Sequence, residues 1–203
     1  LRFSSDAAGL NQLPCEIVDG LDVVWVKPTG VSISTGATLY VWGDNTGAVQ
    51  PAVGDAFGRN AVWSDYEAVI HANEVGTNGV FADSTGNGYD TTLTTGTLST
   101  TTTDNPFGLA WPDFDTSQVV KLTSSYAMLN NTAYSVSMWW NADVSENFIG
   151  LFGSRYKSPS DSNNIQITSD GRPSNNPSGF INVSQSANVT RLLKIKCDSA
   201  SLQ

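Results

Sequence analysis

The chain has 203 residues, enough to bury a substantial core as one large β domain or as a small domain joined to a larger one. It has 19 acidic residues against 10 Lys and Arg, a net charge of -9, which disfavours nucleic acid and anionic membranes as partners. The apolar runs in the sequence are too short to span a membrane. Abundant Thr, Ser, Asn and Gly is typical of secreted or particle-surface β proteins, so we expect an extracellular, cell-surface or virion-surface location.

The first fifty residues alternate short apolar runs with turn residues. The runs at 13–18 and 21–27 flank Asp19-Gly20, a dipeptide that favours a two-residue hairpin turn, so we predict two antiparallel strands. Pro28 ends the second strand, because proline has no N–H to donate to a sheet. A third strand is predicted at 38–42.

These strands resemble the uncharacterised domain called DUF2341. The matching motifs are Leu13-Pro14-Cys15-Glu16-Ile17, Val24-Trp25-Val26-Lys27 and Leu39-Tyr40-Val41-Trp42-Gly43-Asp44-Asn45. The resemblance implies a small antiparallel β module over residues 1–50. Pro51, Gly54 and Gly58 then indicate a linker over 51–60. Cys15 stands where that domain usually has an aromatic residue, so the resemblance assigns it no role.

The segment 81–90 carries the tightest local constraints in the chain, because Gly86 and Gly88 allow a positive φ. Oxygen-bearing side chains alternate before Gly88, in a spacing that can wrap a hard cation such as Ca²⁺. The predicted metal ligands are Asp83, Thr85, Asn87 and Asp90. An EF-hand is excluded, because Thr94 stands where a bidentate glutamate is needed. A plain structural turn is the alternative.

The same segment resembles the concanavalin A-like lectin/glucanase domains of the LamG type. The matching motifs, in the family's order, are Val69-Ile70-His71-Ala72-Asn73-Glu74, Asp83-Ser84-Thr85-Gly86-Asn87-Gly88-Tyr89-Asp90 and Tyr134-Ser135-Val136-Ser137-Met138-Trp139-Trp140-Asn141-Ala142-Asp143. The resemblance implies an all-β fold with a jelly-roll sandwich over 61–203. Such domains usually continue with further strands, and the chain starts at Leu1, so we expect it to be part of a longer protein.

Further short strands are predicted along the second module, and no window shows a helical apolar period. Nine threonines in the thirteen residues 91–103 predict an exposed strand and loop rather than disorder. The alternation at 135–141 puts Trp139 on the polar face, opposite Val136 and Met138. The remaining predicted strands lie at 111–115, 119–122, 148–152, 165–167 and 180–183.

The sequence does not carry a recognisable catalytic motif. None of its four glutamates forms the E-x-D-x-x-E pattern of a glucanase of this fold, and G-x-S-x-G is missing. His71 is the single histidine and has no evident partner, so we interpret it as a core or strand-end residue. We predict that Cys15 and Cys197 lie close together, either bridged or as two buried thiols.

The sequence therefore favours a non-catalytic binding module. The first hypothesis is glycan binding and adhesion, with aromatic faces that stack on sugar rings. The candidate ligand-binding residues are Tyr66, Tyr89, Trp111 and Trp139. The alternative is a structural or decoration subunit of a virion or surface appendage that self-assembles into a homo-oligomer or binds other subunits, because an incomplete sandwich leaves an edge to be covered.

Overall fold

The computed structural model of the chain describes residues 1–18, 23–32, 34, 36–73, 78–93, 96–101, 111–114, 120–123, 134–140, 149–153, 164–167 and 191–197. The chain divides into two compact units, Leu1–Ser125 and Tyr126–Gln203. The described residues form short strands, in small antiparallel sheets, and a single helix of four residues. The predicted β class is therefore confirmed for this part of the chain.

Five strands lie in the first quarter of the chain. They are β1 (Arg2–Ser4), β2 (Gln12–Leu13), β3 (Cys15–Val18), β4 (Val23–Val26) and β5 (Tyr40–Trp42). β1 lies between β2 and β5 in an antiparallel sheet, and β3 pairs with β4. The strand predicted at 13–18 is two strands, β2 and β3, with different partners. The strands predicted at 21–27 and 38–42 are confirmed at 23–26 and 40–42, and residues 21–22 lie outside the described residues. The Asp19-Gly20 turn lies outside the described residues.

The β3–β4 hairpin has two faces with different environments. Opposed residues of an antiparallel pair point to the same face, so Cys15 and Val26 share one face. That face contributes to a small apolar core made of Phe3, Leu13, Cys15, Val24 and Val26. The other face carries Glu16 and Trp25, which also oppose each other. This second face lies against the segment that follows β5 in the sequence.

The predicted linker at 51–60 packs against the first strands. The Cys15 N–H donates to the carbonyl of Phe57 at 3.2 Å. A Cβ at Gly58 would collide with the carbonyl oxygen of Ala52, so this close approach requires glycine. The division into modules at 50 and 61 stays a prediction.

Helix α1 (Arg59–Val62) is one turn long, and no side chain caps its N-terminus. Among the described residues, no helix has the length and apolarity that a membrane span requires. In the segment 67–70 the structure has a single antiparallel bridge, between Ile70 and Asp83.

The threonine-rich stretch forms strands. The four strands of this region are β6 (Thr91–Leu93), β7 (Ser99–Thr101), β8 (Trp111–Asp113) and β9 (Val120–Leu122). β6 pairs with β9, and β7 pairs with β8 between them in the sequence. The threonine-rich stretch forms strands at 91–93 and 99–101, as predicted, although Thr91 is buried rather than exposed. The strands predicted at 111–115 and 119–122 are confirmed at 111–113 and 120–122.

The second unit contains two antiparallel pairs among its described residues. β10 (Tyr134–Trp140) pairs with β13 (Arg191–Cys197), and β11 (Ile149–Gly153) pairs with β12 (Asn164–Ile167). Along β10, Val136 and Met138 are half-buried whereas Trp139 is exposed, which confirms the predicted alternation. The strand predicted at 180–183 lies outside the described residues.

Candidate functional site

Glu16 is the centre of a buried hydrogen-bond network. Its side chain is only 7% exposed. One carboxylate oxygen accepts hydrogen bonds from Trp63 Nε1 and pairs with His71 Nε2 at 2.9 Å, and the other accepts from Ser84 Oγ at 2.8 Å. The three partners follow α1 in the sequence. The network therefore fixes the face of β3 that carries Glu16 to the segment between α1 and β6.

The network keeps the carboxylate of Glu16 charged. Burial by itself raises the pKa of Glu16, because a carboxylate is poorly solvated in the interior. Hydrogen bonds with His71, Trp63 and Ser84 favour the ionised form, and the net pKa lies below the ordinary glutamate value. Glu16 is therefore ionised near neutral pH.

His71 has a partner that the sequence did not reveal. Besides its contact with Glu16, its ring stacks on Trp25, with centroids 6.1 Å apart and planes 14° apart. It also lies 5.7 Å from the ring of Trp63. Glu16 is thus the partner that was not evident from the sequence. The interpretation of His71 as an interior residue agrees with its mostly buried side chain.

The arrangement of these groups does not match nucleophilic catalysis. Ser84 is buried, and its hydroxyl donates to Glu16. A serine nucleophile needs a hydrogen bond to a base such as histidine, which Ser84 does not make to His71 among the described contacts. The Glu16 network instead holds Trp63, which supports the exposed aromatic side chains beside it.

Two aromatic side chains lie on a buried tryptophan, and we call Trp25 and Tyr66 the aromatic surface. Trp63 is buried, and both rings contact it edge-on with centroids 5.3 Å away. Trp25 is 37% exposed and Tyr66 is 56% exposed. Because Trp63 donates its indole N–H to Glu16, the two exposed rings rest on a fixed base.

Polar groups border the aromatic surface. Lys27, just after β4, forms an ion pair with Asp65 at 2.8 Å and donates to Ser64 Oγ at 2.7 Å. These contacts join the end of β4 to the residues beside Tyr66. The region therefore combines exposed rings with hydrogen-bonding groups.

The turn at 83–90 adjoins this region and is organised by Asp83. The buried Asp83 carboxylate accepts hydrogen bonds from the N–H groups of Val69 (3.1 Å), Thr85 (3.0 Å) and Tyr89 (3.2 Å). It also accepts from the Thr85 hydroxyl at 2.6 Å. Burial raises the pKa of Asp83, but these hydrogen bonds outweigh it and the net pKa is lowered.

Asn87 connects the turn to the aromatic surface. Its side-chain amide donates to the carbonyl of Glu67 at 3.0 Å and to that of Tyr66 at 3.4 Å. Gly86 and Gly88 have φ values of 85° and 79°, which confirms that the turn uses their conformational freedom. The backbone of Tyr66 is thereby held against the turn.

The predicted Ca²⁺ ligands are engaged with protein donors. Both oxygens of Asp83 and the hydroxyl of Thr85 are hydrogen-bonded within the turn, and Asp90 accepts from the N–H of Asp83 at 2.8 Å. Within the described ranges, no group of three or more His, Cys, Asp or Glu could hold a metal ion. These hydrogen bonds are those of the structural turn that was the alternative. The Ca²⁺ site stays a prediction.

The predicted ligand-binding residues lie in different places. Tyr66 is part of the aromatic surface, and Tyr89 lies in the 83–90 turn, where its N–H bonds Asp83. Trp111 is half-buried in β8, and Trp139 is exposed on β10 of the second unit. Trp25 was not among the ligand-binding residues predicted from the sequence. The alternation within β4, which puts Trp25 on the face opposite Val24 and Val26, was the signal that could have found it.

Comparisons with known proteins leave the chain without an assigned family. No protein-family model, curated protein or solved structure matches it. The resemblances to DUF2341 and to the LamG-type domains therefore stay predictions from short motifs.

Proposed function

We propose that the chain is a non-catalytic binding module that recognises a glycan through the aromatic surface of Trp25 and Tyr66. The observation that carries this proposal is the pair of exposed rings held on a buried Trp63. Sugar rings present apolar C–H faces that stack on aromatic side chains, and their hydroxyls bond to polar groups around the stack. Such a module acts at an extracellular, cell or virion surface.

The rigidity of the region supports the proposal. Trp63 is fixed by Glu16, Trp25 lies in a strand and stacks on His71, and the carbonyl of Tyr66 is bonded by Asn87. Rings that are ordered before the ligand arrives lose little conformational entropy on binding. The aromatic surface is in this sense preorganised.

For the whole chain we propose a concanavalin A-like jelly-roll sandwich over 61–203, preceded by a DUF2341-like β module. Support comes from the small antiparallel sheets and the scarcity of helix among the described residues, together with the ordered motif resemblance. The fold by itself assigns no ligand, because unrelated functions share it.

A glycan array tests the binding proposal. Wild-type protein is expected to bind a defined subset of glycans, and Trp25→Ala to lose that signal. Tyr40→Ala is the matched control, because Tyr40 is as exposed as Trp25 but lies on β5. Repeating the array with a chelator separates a Ca²⁺-dependent site from a Ca²⁺-independent one. An array on which the wild-type protein binds nothing, with or without Ca²⁺, refutes glycan recognition.

A second candidate function is a structural or decoration subunit of a surface assembly. The observation that favours it is the exposure of all three residues of β5, which are apolar or aromatic and lie at the edge of a sheet. Exposed apolar sheet edges promote pairing between chains.

A further inference from the structure

We infer that β5 is the contact through which two copies of this chain pair, edge to edge and antiparallel, into one continuous sheet. β5 is the last strand in the order β2-β1-β5, and it pairs with β1 alone among the described strands. Its second edge carries backbone N–H and C=O groups that another strand can bond. The inference is independent of glycan binding and specifies the contact that the second candidate function needs.

The β5 edge has one of the features that keep sheet edges apart and lacks the others. Natural edge strands are protected by short length, lysine, proline or a bulge, and β5 is short, with three residues. Tyr40, Val41 and Trp42 include none of these residues, and their register with β1 is uninterrupted. Val41 is 59% exposed, and Leu39 and Leu1 add exposed apolar side chains near the strand. An edge with this composition favours pairing over solvation.

Charge favours a second copy as the occupant. The whole chain carries a net charge of -9, so two copies repel each other wherever acidic residues meet. Residues 28–43, which contain β5, include no charged side chain. Two copies that meet along this segment bring no like charges directly opposite each other.

Symmetry restricts the register. A two-fold axis perpendicular to the sheet keeps every residue on its own face and places one residue opposite its own copy. The register that pairs all three residues of β5 is centred on Val41, so Val41 of one copy lies opposite Val41 of the other. Tyr40 of each copy then lies opposite Trp42 of the other, which gives two cross-strand aromatic pairs on the face that carries Ser4. The joined sheet has the order β2-β1-β5-β5-β1-β2, about the usual strand number of a globular sheet.

The test is the mass of the full chain in solution, measured by sedimentation velocity from micromolar to submillimolar concentration. Wild-type protein is expected to show a monomer–dimer equilibrium. Val41→Lys is expected to raise the dimer Kd by about tenfold or more, because two ammonium groups then face each other at the axis. Val49→Lys is the matched control: Val49 is 78% exposed outside the strands, and its substitution is expected to leave the equilibrium unchanged.

A cross-link tests the register independently of the folding of the lysine variant. On mild oxidation, Val41→Cys is expected to give a disulfide between the two copies of position 41, identified by peptide mass mapping, whereas Val49→Cys gives none. A wild-type chain that stays monomeric at all concentrations overturns the inference, and so does an equal effect of both lysine substitutions. Glycan binding that persists in a monomeric Val41→Lys variant would leave the proposed function intact.

Discussion

Glu16 stabilises the fold through its charge and its three hydrogen-bond partners. A buried carboxylate is costly to desolvate unless donors compensate, and here His71, Trp63 and Ser84 surround it. Hydrogen bonds to charged groups contribute about 1.5–3 kcal/mol each in mutational series. The residue therefore links two parts of the chain that are far apart in the sequence.

We predict that Glu16→Gln lowers the free energy of unfolding by about 2 kcal/mol. The glutamine amide keeps the shape of the side chain but loses its charge, and its NH₂ group then faces hydrogen-bond donors of the partner residues. Urea denaturation followed by tryptophan fluorescence measures the change. The control is Glu67→Gln, since Glu67 is exposed and the same charge is removed. Equal stability of the two variants would show that the Glu16 network does not stabilise the fold.

The same pair of variants tests how the stability of the fold depends on pH. The pKa of Glu16 is lower in the folded state than in the unfolded state, so its stabilisation is complete above the unfolded pKa. This contribution is lost as the pH falls through the folded-state pKa. Wild-type protein and Glu67→Gln should therefore lose stability in acid more steeply than Glu16→Gln. Parallel curves for all three proteins would contradict the lowered pKa.

Asp83 is the second residue whose carboxylate fixes a local structure. Asp83→Asn is expected to destabilise the chain by about 2–3 kcal/mol, because the amide nitrogen then faces donors from the backbone and from Thr85. Asp55→Asn is a graded control, since the exposed Asp55 carboxylate accepts from the N–H of Phe57 alone among the described contacts. Thermal unfolding of both variants, with and without Ca²⁺, measures the two losses of stability. Similar losses in the two variants would show that Asp83 does not organise its turn.

Among the structural elements, the 83–90 turn depends on two glycines with different surroundings. Both have a positive φ, but a Cβ at Gly86 would collide with the side-chain amide of Asn60 in α1, whereas a Cβ at Gly88 meets open space. The pair separates backbone strain from packing, because the strain is common to both positions.

Gly86→Ala is therefore expected to lose more stability than Gly88→Ala. The left-handed conformation costs about 1–2 kcal/mol in either variant, and at Gly86 the side-chain amide of Asn60 must also move away from the new Cβ. Chemical denaturation of the two alanine variants measures the difference. If Gly88→Ala is the less stable of the two, the turn does not pack on α1 as described.

The strands were predicted from the sequence more completely than the candidate site was. Alternation and turn residues predicted the β3–β4 pair and the strands in the threonine-rich stretch, because those signals act within a few residues. The 67–70 segment differs: it is apolar enough for a strand, but its carbonyls and N–H groups bond the 83–90 turn. Here tertiary contacts outweigh the local preference.

The candidate site was predicted only in part for the same reason. Tyr66 was predicted as a candidate because an aromatic face can stack on a sugar ring. The pairing of Glu16 with His71, 55 residues apart, depends on how β3 packs against the later segment. Such a long-range contact has no signature in local periodicity.

In the whole molecule, contacts cross the predicted linker at 51–60. Glu16 lies before it and bonds His71 and Ser84 after it, and residues up to Ser125 form one compact unit. The aromatic surface is built from both sides of this range, with Trp25 before it and Tyr66 after it. Its formation therefore requires these two segments to pack together.

The two cysteines belong to different units. Cys15 is a free thiol in the apolar core beside Phe3 and Leu13, and burial raises its pKa. Cys197 is the last residue of β13. The expected proximity of Cys15 and Cys197 stays a prediction, and the buried-thiol alternative describes Cys15 as it lies in this structure.

The most direct measurement of the proposed function is the response of the tryptophan indole N–H resonances to a glycan selected by the array. The chain has six tryptophans, each with one such resonance in a ¹⁵N-labelled sample. If the glycan binds the aromatic surface, the Trp25 signal shifts in a saturable titration while that of Trp42, on β5, stays in place. A shift of Trp42 or Trp139 with no change at Trp25 would contradict the aromatic surface as the binding site.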